Sequence, residues 1–473
     1  MFMQNLKISA SRKKTQPATL RYCKSIFSIT AIIFAALLAM TTNANAQAII
    51  RDMEIEQALK LWATPVIEAA NLSPDGVNFI LIQDPAVNAF VAGGPNIFIF
   101  TGLIEKSENP QEIIGVISHE LGHITGGHLI RGRNAMENAS YESLVGTLLG
   151  IGAAVLTGEG GFGTAISAGS QSSAIGRYLA FSRVQESSAD QAAIKFLEDA
   201  KMNPTGLVTF MEKLENQELL PASQQSEYIR THPLTRDRIS ALEEGRKHSP
   251  YKDKETPALW QEQHKRIVAK LKAFISPERV AWDYSDKDHS IAADYARAIA
   301  SYRQNKVDDA IREIDALIKK EPDNPYFFEL KGQMLLEFGQ INQAIIAYKK
   351  SVSLTNEAPL IQISYAHALI ESHDNQDANL NEAIKQLKKA YRVEPRSIKL
   401  QRLLATAYGK QGHEALAQLH LAEEAFLEND MAYAKRRAEI ASKGLEEGSA
   451  DWIRAQDLIN FIDQRQEKQK NKR

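Results

Sequence analysis

Apolar positions between Asp52 and Ala70 recur with a helical period, and Ser73-Pro74-Asp75-Gly76 closes that segment in a turn. Three short apolar runs follow: Val77 to Ile82, Val87 to Ala92 and Ile97 to Phe100. Each has the length of a strand, and Gly93-Gly94-Pro95-Asn96 joins the last two as a hairpin connection. A small antiparallel sheet is expected, with an edge that could hold an extended peptide by strand addition. Pro110 opens the next helix, since proline suits a first turn, and that helix is predicted to run to about Arg131. From Gly146 to Gly176 the chain is rich in glycine and serine, and Leu144 to Leu156 is apolar but too short for a membrane span. The stretch reads as a core helix or as a mobile, membrane-touching flap made flexible by Gly158-Glu159-Gly160-Gly161. Helical periodicity returns from Ile175 to Ala200, and Pro204 starts a further helix. Thr231-His232-Pro233-Leu234 is expected in a loop, because a residue before proline avoids the helix.

From Ile291 onward the pattern changes to paired amphipathic helices. Ala310 and Ala344 lie one 34-residue period apart, each at the crowded start of a second helix. Gly332, Tyr348 and Pro322 fit the same tetratricopeptide frame. Ala383, Leu387, Ala390 and Pro395 repeat the phase after an insertion around Ser372 to Ala378. Further pairs near 397–428 and 430–466 follow in weaker register. Stacked repeats with a concave docking surface are expected.

The chain's 473 residues allow two or three domains, and 44% hydrophobic with 24% charged residues is a globular composition. A formal net charge of −2 gives no bulk attraction to nucleic acid or to an anionic membrane. No nucleic-acid partner and at most peripheral membrane contact are expected. Lys7, Arg12, Lys13, Lys14, Arg21 and Lys24 precede an apolar run from Ile26 to Met40, and Ala44-Asn45-Ala46 forms a cleavage site. Residues 1–46 thus read as a cleaved signal peptide, and the mature protein as periplasmic. The single cysteine, Cys23, precedes the apolar run, which is not where a lipid-bearing cysteine stands. Its removal would leave no thiol, excluding disulfides, cysteine catalysis and cysteine–zinc sites.

The candidate chemistry sits in Ser118-His119-Glu120-Leu121-Gly122-His123, inside the helix that Pro110 opens. His119 and His123 share one helix face, so both imidazoles can bind one ion. Zn2+ held there acidifies a water, and Glu120 beside the first ligand takes the proton. The competing reading is a polar helix face with two solvated histidines. A third ligand is needed. Gly126 fits one zinc pattern, but Leu129 stands at its third-ligand place and His128 arrives one residue early. Glu186, on a later helix, is better placed, with Asp190 one turn on and able to hydrogen-bond His119 or His123. His128 and Arg183 receive no role.

Asn88-Ala89-Phe90, Gly102-Leu103-Ile104, His119-Glu120-x-x-His123, Glu186-Ser-Ser-Ala-Asp190 and Thr231-His232-Pro233 occur in an order that resembles the family of the CAAX-prenyl endopeptidase and HtpX. The likeness is to its soluble periplasmic branch with a C-terminal tetratricopeptide domain. It covers essentially the mature chain, and its specificity lies in residues 77 to 240. The resemblance implies zinc bound by His119, His123 and Glu186, with Glu120 as general base. It implies that His232 can approach the metal and take the water's place, leaving a latent enzyme. The alternative for His232 is a structural loop histidine. The resemblance also implies work in outer-membrane protein quality control. Unfolded or stalled β-barrel proteins would be the substrates, and the repeats would dock the outer-membrane assembly machinery.

The expected fold is α+β and mostly helical. A zincin-like metalloprotease domain with a small antiparallel sheet is expected over 47–250, a connecting helix and linker over 251–288, an all-α tetratricopeptide solenoid over 289–466, and a tail over 467–473. The expected activity is zinc-dependent peptide hydrolysis with one Zn2+ per chain. Glu120 and Asp190 are the expected catalytic residues, and Asn88, Ala89 and Phe90 a substrate-holding strand. The competing function is a chaperone-like scaffold that rarely cuts. A metal-dependent hydrolase of non-peptide substrates is a third reading, with no motif of its own.

Overall fold

The computed structural model describes residues 48–128, 183–218, 227–356 and 358–470. The expected signal segment 1–46, the glycine-rich stretch 146–176 and the tail from 471 lie outside the described residues.

Helix α1 (Met53–Ala69) starts where the Asp52 side chain accepts from the Ile55 amide at 3.0 Å. Its apolar stripe, Ile55, Leu59, Trp62 and Val66, is buried. Strands β1 (Ala48–Ile50), β2 (Asn78–Gln83), β3 (Ala89–Val91) and β4 (Asn96–Phe100) form one sheet in the order β1-β2-β4-β3. β3 and β4 make the expected antiparallel hairpin, but β2 and β4 run parallel, Ile80 opposite Phe98 and Leu81 opposite Ile99. The sheet is therefore mixed rather than antiparallel. Residues 84–88 carry the chain past the edge of β2, and the hairpin returns β4 into the space between β2 and β3. The pleat then sorts the side chains. Leu81, Ala89, Val91, Ile97 and Ile99 enter the main core, while Ile80, Ile82, Phe90, Phe98 and Phe100 line the other face.

After the short helix α2 (Thr101–Lys106), α3 (Pro110–Thr125) begins with Pro110 in its first turn and Asn109 accepting from the Glu112 amide at 3.2 Å. Ile113, Ile114, Val116, Ile117 and Leu121 bury it in the centre of the first domain. Helices α4 (Arg183–Asp199), α5 (Thr205–Glu218), α6 (Glu227–Thr231) and α7 (Arg236–His248) complete that domain. Thr231 ends α6, so the expected loop begins one residue late, at His232.

The segment expected as a connector contains α8 (Ala258–Ile275), and that helix is core rather than spacer. Ile267 and Leu271 enter the protease-side core, and Ala269 and Ala273 enter the core of the repeats. Glu54, at the start of α1, takes Arg266 Nε at 3.2 Å, Lys270 Nζ at 3.2 Å and the Tyr295 hydroxyl at 3.1 Å. Glu54 is only 2% exposed, so its charge depends on the paired cations Arg266 and Lys270. Arg51 adds an ion pair to Glu394 at 2.7 Å. The first domain is thus seated on the repeats by shared core and by charge.

After a short turn of helix, α9 (Val280–Asp283), the repeats run as pairs. These are α10 (Ile291–Arg303) with α11 (Val307–Lys320), α12 (Pro325–Glu337) with α13 (Ile341–Ser353), and α14 (Pro359–Glu371) with α15 (Gln376–Tyr391). Then come α16 (Ile398–Lys410) with α17 (Glu414–Leu427), and α18 (Met431–Gly444) with α19 (Ala450–Lys470). Ala310, Ala344 and Ala383 are fully buried, and Gly332 lies under the Tyr348 ring. These are the small and aromatic positions that the repeat frame demanded. No helix among the described residues is long and apolar enough to cross a membrane.

His264 on α8 faces Ser107 Oγ at 2.7 Å, while the serine proton goes to the Ile104 carbonyl at 2.7 Å. The imidazole Nε2–H is therefore the donor. Burial, helped by Lys213 and Lys265, lowers the His264 pKa to about 4. Protonation is then harder in the folded than in the unfolded chain, so this contribution is complete above pH 6.5 and falls away as pH drops to about 4. The loss amounts to about 3 kcal/mol. His264→Gln should flatten the stability profile between pH 7 and pH ~4.5 in urea melts; a profile parallel to wild type would contradict it.

Candidate metal centre

The helical repeat of α3 brings His119 and His123 onto one face, with their Nε2 atoms 3.1 Å apart. The first turns of α4 bring Glu186 and Asp190 opposite them. Glu186 places Oε2 3.4 Å from His119 Nε2 and Oε1 3.5 Å from His123 Nε2. Asp190 Oδ1 lies 2.9 Å from His119 Nδ1. That contact favours the tautomer with the proton on Nδ1 and the lone pair of Nε2 turned to the centre. His232, entering from the loop after α6, places Nδ1 3.2 Å from Glu186 Oε1 and Nε2 3.6 Å from Glu120 Oε1. One ligand atom from each of His119, His123, Glu186 and His232 lies within 4.8 Å of the others, and all four residues are buried.

The approach of α4 to α3 depends on Gly122. A Cβ there would stand 2.7 Å from the Ala189 carbonyl oxygen and 2.8 Å from its Cα, closer than real side chains sit. Ala189 lies between Glu186 and Asp190, so the glycine inside the motif sets the distance between the two pairs of donors.

Charge in this dry pocket is unevenly held. Burial works against the His119 imidazolium, but Asp190 and Glu186 outweigh it and raise its pKa to about 10. Burial likewise works against the Glu186 carboxylate, yet His232 and His119 hold its pKa well below the usual range. Burial, then the neighbouring His119 and His232, keeps His123 neutral by lowering its pKa. Burial raises the pKa of Glu120, aided by Glu186 and opposed by His232, His119 and the Val91 amide of β3. An ionised carboxylate among three imidazoles, closed from water, is a setting for a cation. A single proton meets only part of that demand, while a divalent ion fits imidazole nitrogens and a carboxylate oxygen together. The donor set therefore fits a metal.

The sequence left three contributors unassigned. His128 sets Nδ1 2.9 Å from His123 Nδ1, because Gly127 at φ 63° turns the chain back onto the helix. The signal was there: His128 missed the ligand position by one residue, and a Gly-Gly pair precedes it. Arg238 on α7 grips Asp190 through Nε at 2.7 Å and Nη2 at 2.9 Å, and its Nη1 pairs with Glu186 Oε2 at 2.9 Å. A cation in the first turn of a helix opposes the helix dipole, which is the only sequence hint of it. Tyr228 lays its ring 4.7 Å from that of His232 and is 1% exposed. Its partner His232 lies on its own next turn, and nothing in the spacing marked it. Arg183 begins α4 outside this cluster. Asn88, Ala89 and Phe90 lie at β3, the outer strand on that side of the sheet among the described residues.

Two metal-binding histidine candidates on one helix, a carboxylate from the next and a glutamate beside the first histidine define the site of a metallopeptidase. Comparison with known proteins agrees. Residues 51–246 match Peptidase family M48, and residues 318–433 match a TPR domain described for cytochrome c-type biogenesis protein H. The chain carries an M48 peptidase domain followed by a TPR domain, and it is a metalloendopeptidase. It is 25% identical over 342 residues to the beta-barrel assembly-enhancing protease of Escherichia coli (strain K12), covering 70% of this chain and 68% of that protein. The protein of the same name from Yersinia pestis is 24% identical over 336 residues, 68% of this chain and 67% of the relative. Metalloprotease LoiP of Escherichia coli (strain K12) is 28% identical over 215 residues, 42% of this chain and 76% of the relative.

Gly122→Ala should push α4 from α3 and lose about 1–3 kcal/mol of stability. It should also weaken metal binding, read by chelator competition, more than Gly339→Ala in a repeat turn, where no atom lies within 4 Å of the added Cβ. Equal metal affinity in the two variants would deny Gly122 this part.

Proposed function

We propose that this chain is a periplasmic zinc endopeptidase that degrades misassembled outer-membrane β-barrel proteins and is held latent by His232. The observation that carries the reading is the convergence of His119, His123, Glu186 and His232 on one buried point beside Glu120. His119, His123 and Glu186 would hold the zinc. When bound, zinc would lower the pKa of a water toward about 7 and polarise the scissile carbonyl. Glu120 would accept the water's proton and pass it to the leaving amine. Burial already raises the pKa of Glu120, which suits a group that must take and return a proton near neutrality. Asp190 would act through His119, fixing its ring and tautomer at 2.9 Å.

The substrate would lie along β3. Phe100 N donates to the Asn88 carbonyl, and Ala92 N to the Asn96 carbonyl. By alternation, 88, 90 and 92 face β4, leaving the backbone groups of Ala89 and the Val91 carbonyl for an added strand. Phe90 spends its side chain on Phe98, stacked at 4.8 Å, so its part is structural. Val91 flanks Glu120, which would bring an added strand past the base. The relatives named as beta-barrel assembly-enhancing proteases support β-barrel outer-membrane proteins as the substrate class, with the TPR repeats docking the assembly machinery.

A second reading keeps the same fold and makes assembly, rather than cutting, the main task. It is favoured by His232, which sits in the donor cluster and would close it as a fourth ligand. Glu120→Gln separates the two readings. It should abolish cleavage of unfolded β-barrel proteins, by about 100-fold or more, and leave any assembly activity in place. Cleavage at the wild-type rate would remove Glu120 from the chemistry. His232→Ala should raise proteolysis, self-cleavage included, with zinc retained by elemental analysis, whereas His119→Ala should lose the zinc. A His232→Ala rate equal to wild type would leave His232 a structural loop residue.

A further inference from the structure

Arg238 is a buried arginine whose partners belong to two different parts of the site. Its Nε and Nη2 form a fork on Asp190 at 2.7 and 2.9 Å. Its Nη1 donates to the Pro233 carbonyl at 2.8 Å and pairs with Glu186 Oε2 at 2.9 Å. Pro233 follows His232 directly, so one rigid guanidinium spans the loop, the third ligand candidate and the carboxylate that orients His119. The loop is also held by the His232 amide on the Tyr228 carbonyl at 2.7 Å, by the Tyr228 ring against the imidazole and by His232 Nδ1 at 3.2 Å from Glu186 Oε1, but none of these reaches Asp190.

We propose that Arg238 is a positioning residue that fastens the His232 loop to the metal ligands, holding the loop against Glu186 when closed and holding Glu186 alone when the loop leaves. The proposal rests on the reading of His119, His123 and Glu186 as ligands and of His232 as their latch. The geometry gives the direction of the coupling. Asp190 anchors the fork from α4, which does not depend on the loop. Departure of the loop removes the Pro233 acceptor from Nη1 and leaves that nitrogen to Glu186 alone. The guanidinium therefore resists opening with a charge-assisted hydrogen bond, and it keeps Glu186 in place once the loop has gone. A lysine supplies the charge but not the fork, so it cannot serve three acceptors in fixed directions.

The test compares zinc-loaded full-length wild type with Arg238→Lys and Arg238→Gln, folding being checked by circular dichroism. Hydrogen exchange of the peptide spanning 228–238 reads the loop, and chelator competition reads zinc affinity. Loop exchange should quicken about tenfold or more in both variants, and zinc affinity should fall about 10–100-fold. At saturating zinc, Arg238→Lys should raise cleavage of unfolded casein severalfold, and should add nothing once His232→Ala has removed the latch. Wild-type loop exchange in a zinc-binding Arg238 variant overturns the proposal, as does an equal change in cleavage with and without His232. If neither Arg238 variant folds, Asp190→Asn weakens the anchor from the other side. Faster loop exchange there supports the proposal, and an unchanged loop overturns it. If His232→Ala fails to raise cleavage, the latch reading falls, and Arg238 is judged on loop exchange alone.

Discussion

Gly122 of α3 touches the backbone of Ala189 on α4, and the metal centre hangs from that approach. A helix pair carrying ordinary side chains at the contact keeps its axes 8–10 Å apart or more. Removing the Cβ at one point lets a neighbouring backbone come in, and it comes in between Glu186 and Asp190. One carboxylate then faces the imidazole nitrogens and the other backs His119. The position inside the motif that carries no functional group thus determines where the functional groups of α4 arrive.

A centre of this kind concentrates charge away from water, so its surroundings have to balance it. Glu186 and Asp190 are balanced by Arg238 and by the histidines; at Glu120, His232, His119 and the Val91 amide oppose the effect of burial. Under the proposed latch, the elements that balance the charge would also govern access. His232 belongs to the donor cluster and to a loop, and the loop is tied through the Pro233 carbonyl to the guanidinium that grips the carboxylates. One set of contacts would then carry both electrostatic balance and gating, an arrangement that favours two discrete states over gradual loosening.

The repeats are joined to this domain more firmly than a tethered docking module would be. Helix α8 contributes side chains to both cores, and Glu54 gathers partners from α8 and from the first repeat. Parting the domains would expose the apolar side chains of α8 and the buried charge of Glu54, so the two should keep a set orientation. A partner held by the repeats would then meet the protease domain at a defined angle, without a search by a flexible linker.

Much of this was legible in the residues. The spacing of His119 and His123, the proline that opens α3, the Gly-Gly-Pro hairpin and the 34-residue phase of Ala310 and Ala344 are local signals. Each depends on the period of a helix or the chemistry of a turn, which neighbouring residues settle among themselves. Tertiary structure decided the rest. The parallel pairing of β2 with β4 depends on where the hairpin lands, which no single strand encodes. The role of α8 depends on two cores meeting on one helix, although its sequence reads as an ordinary amphipathic connector. His128, Tyr228 and Arg238 acquire their places only when a turn, a stacked ring and a crossing helix set them beside the donor cluster. Sequence period says which face of an element a residue occupies, but only packing says what that face will meet.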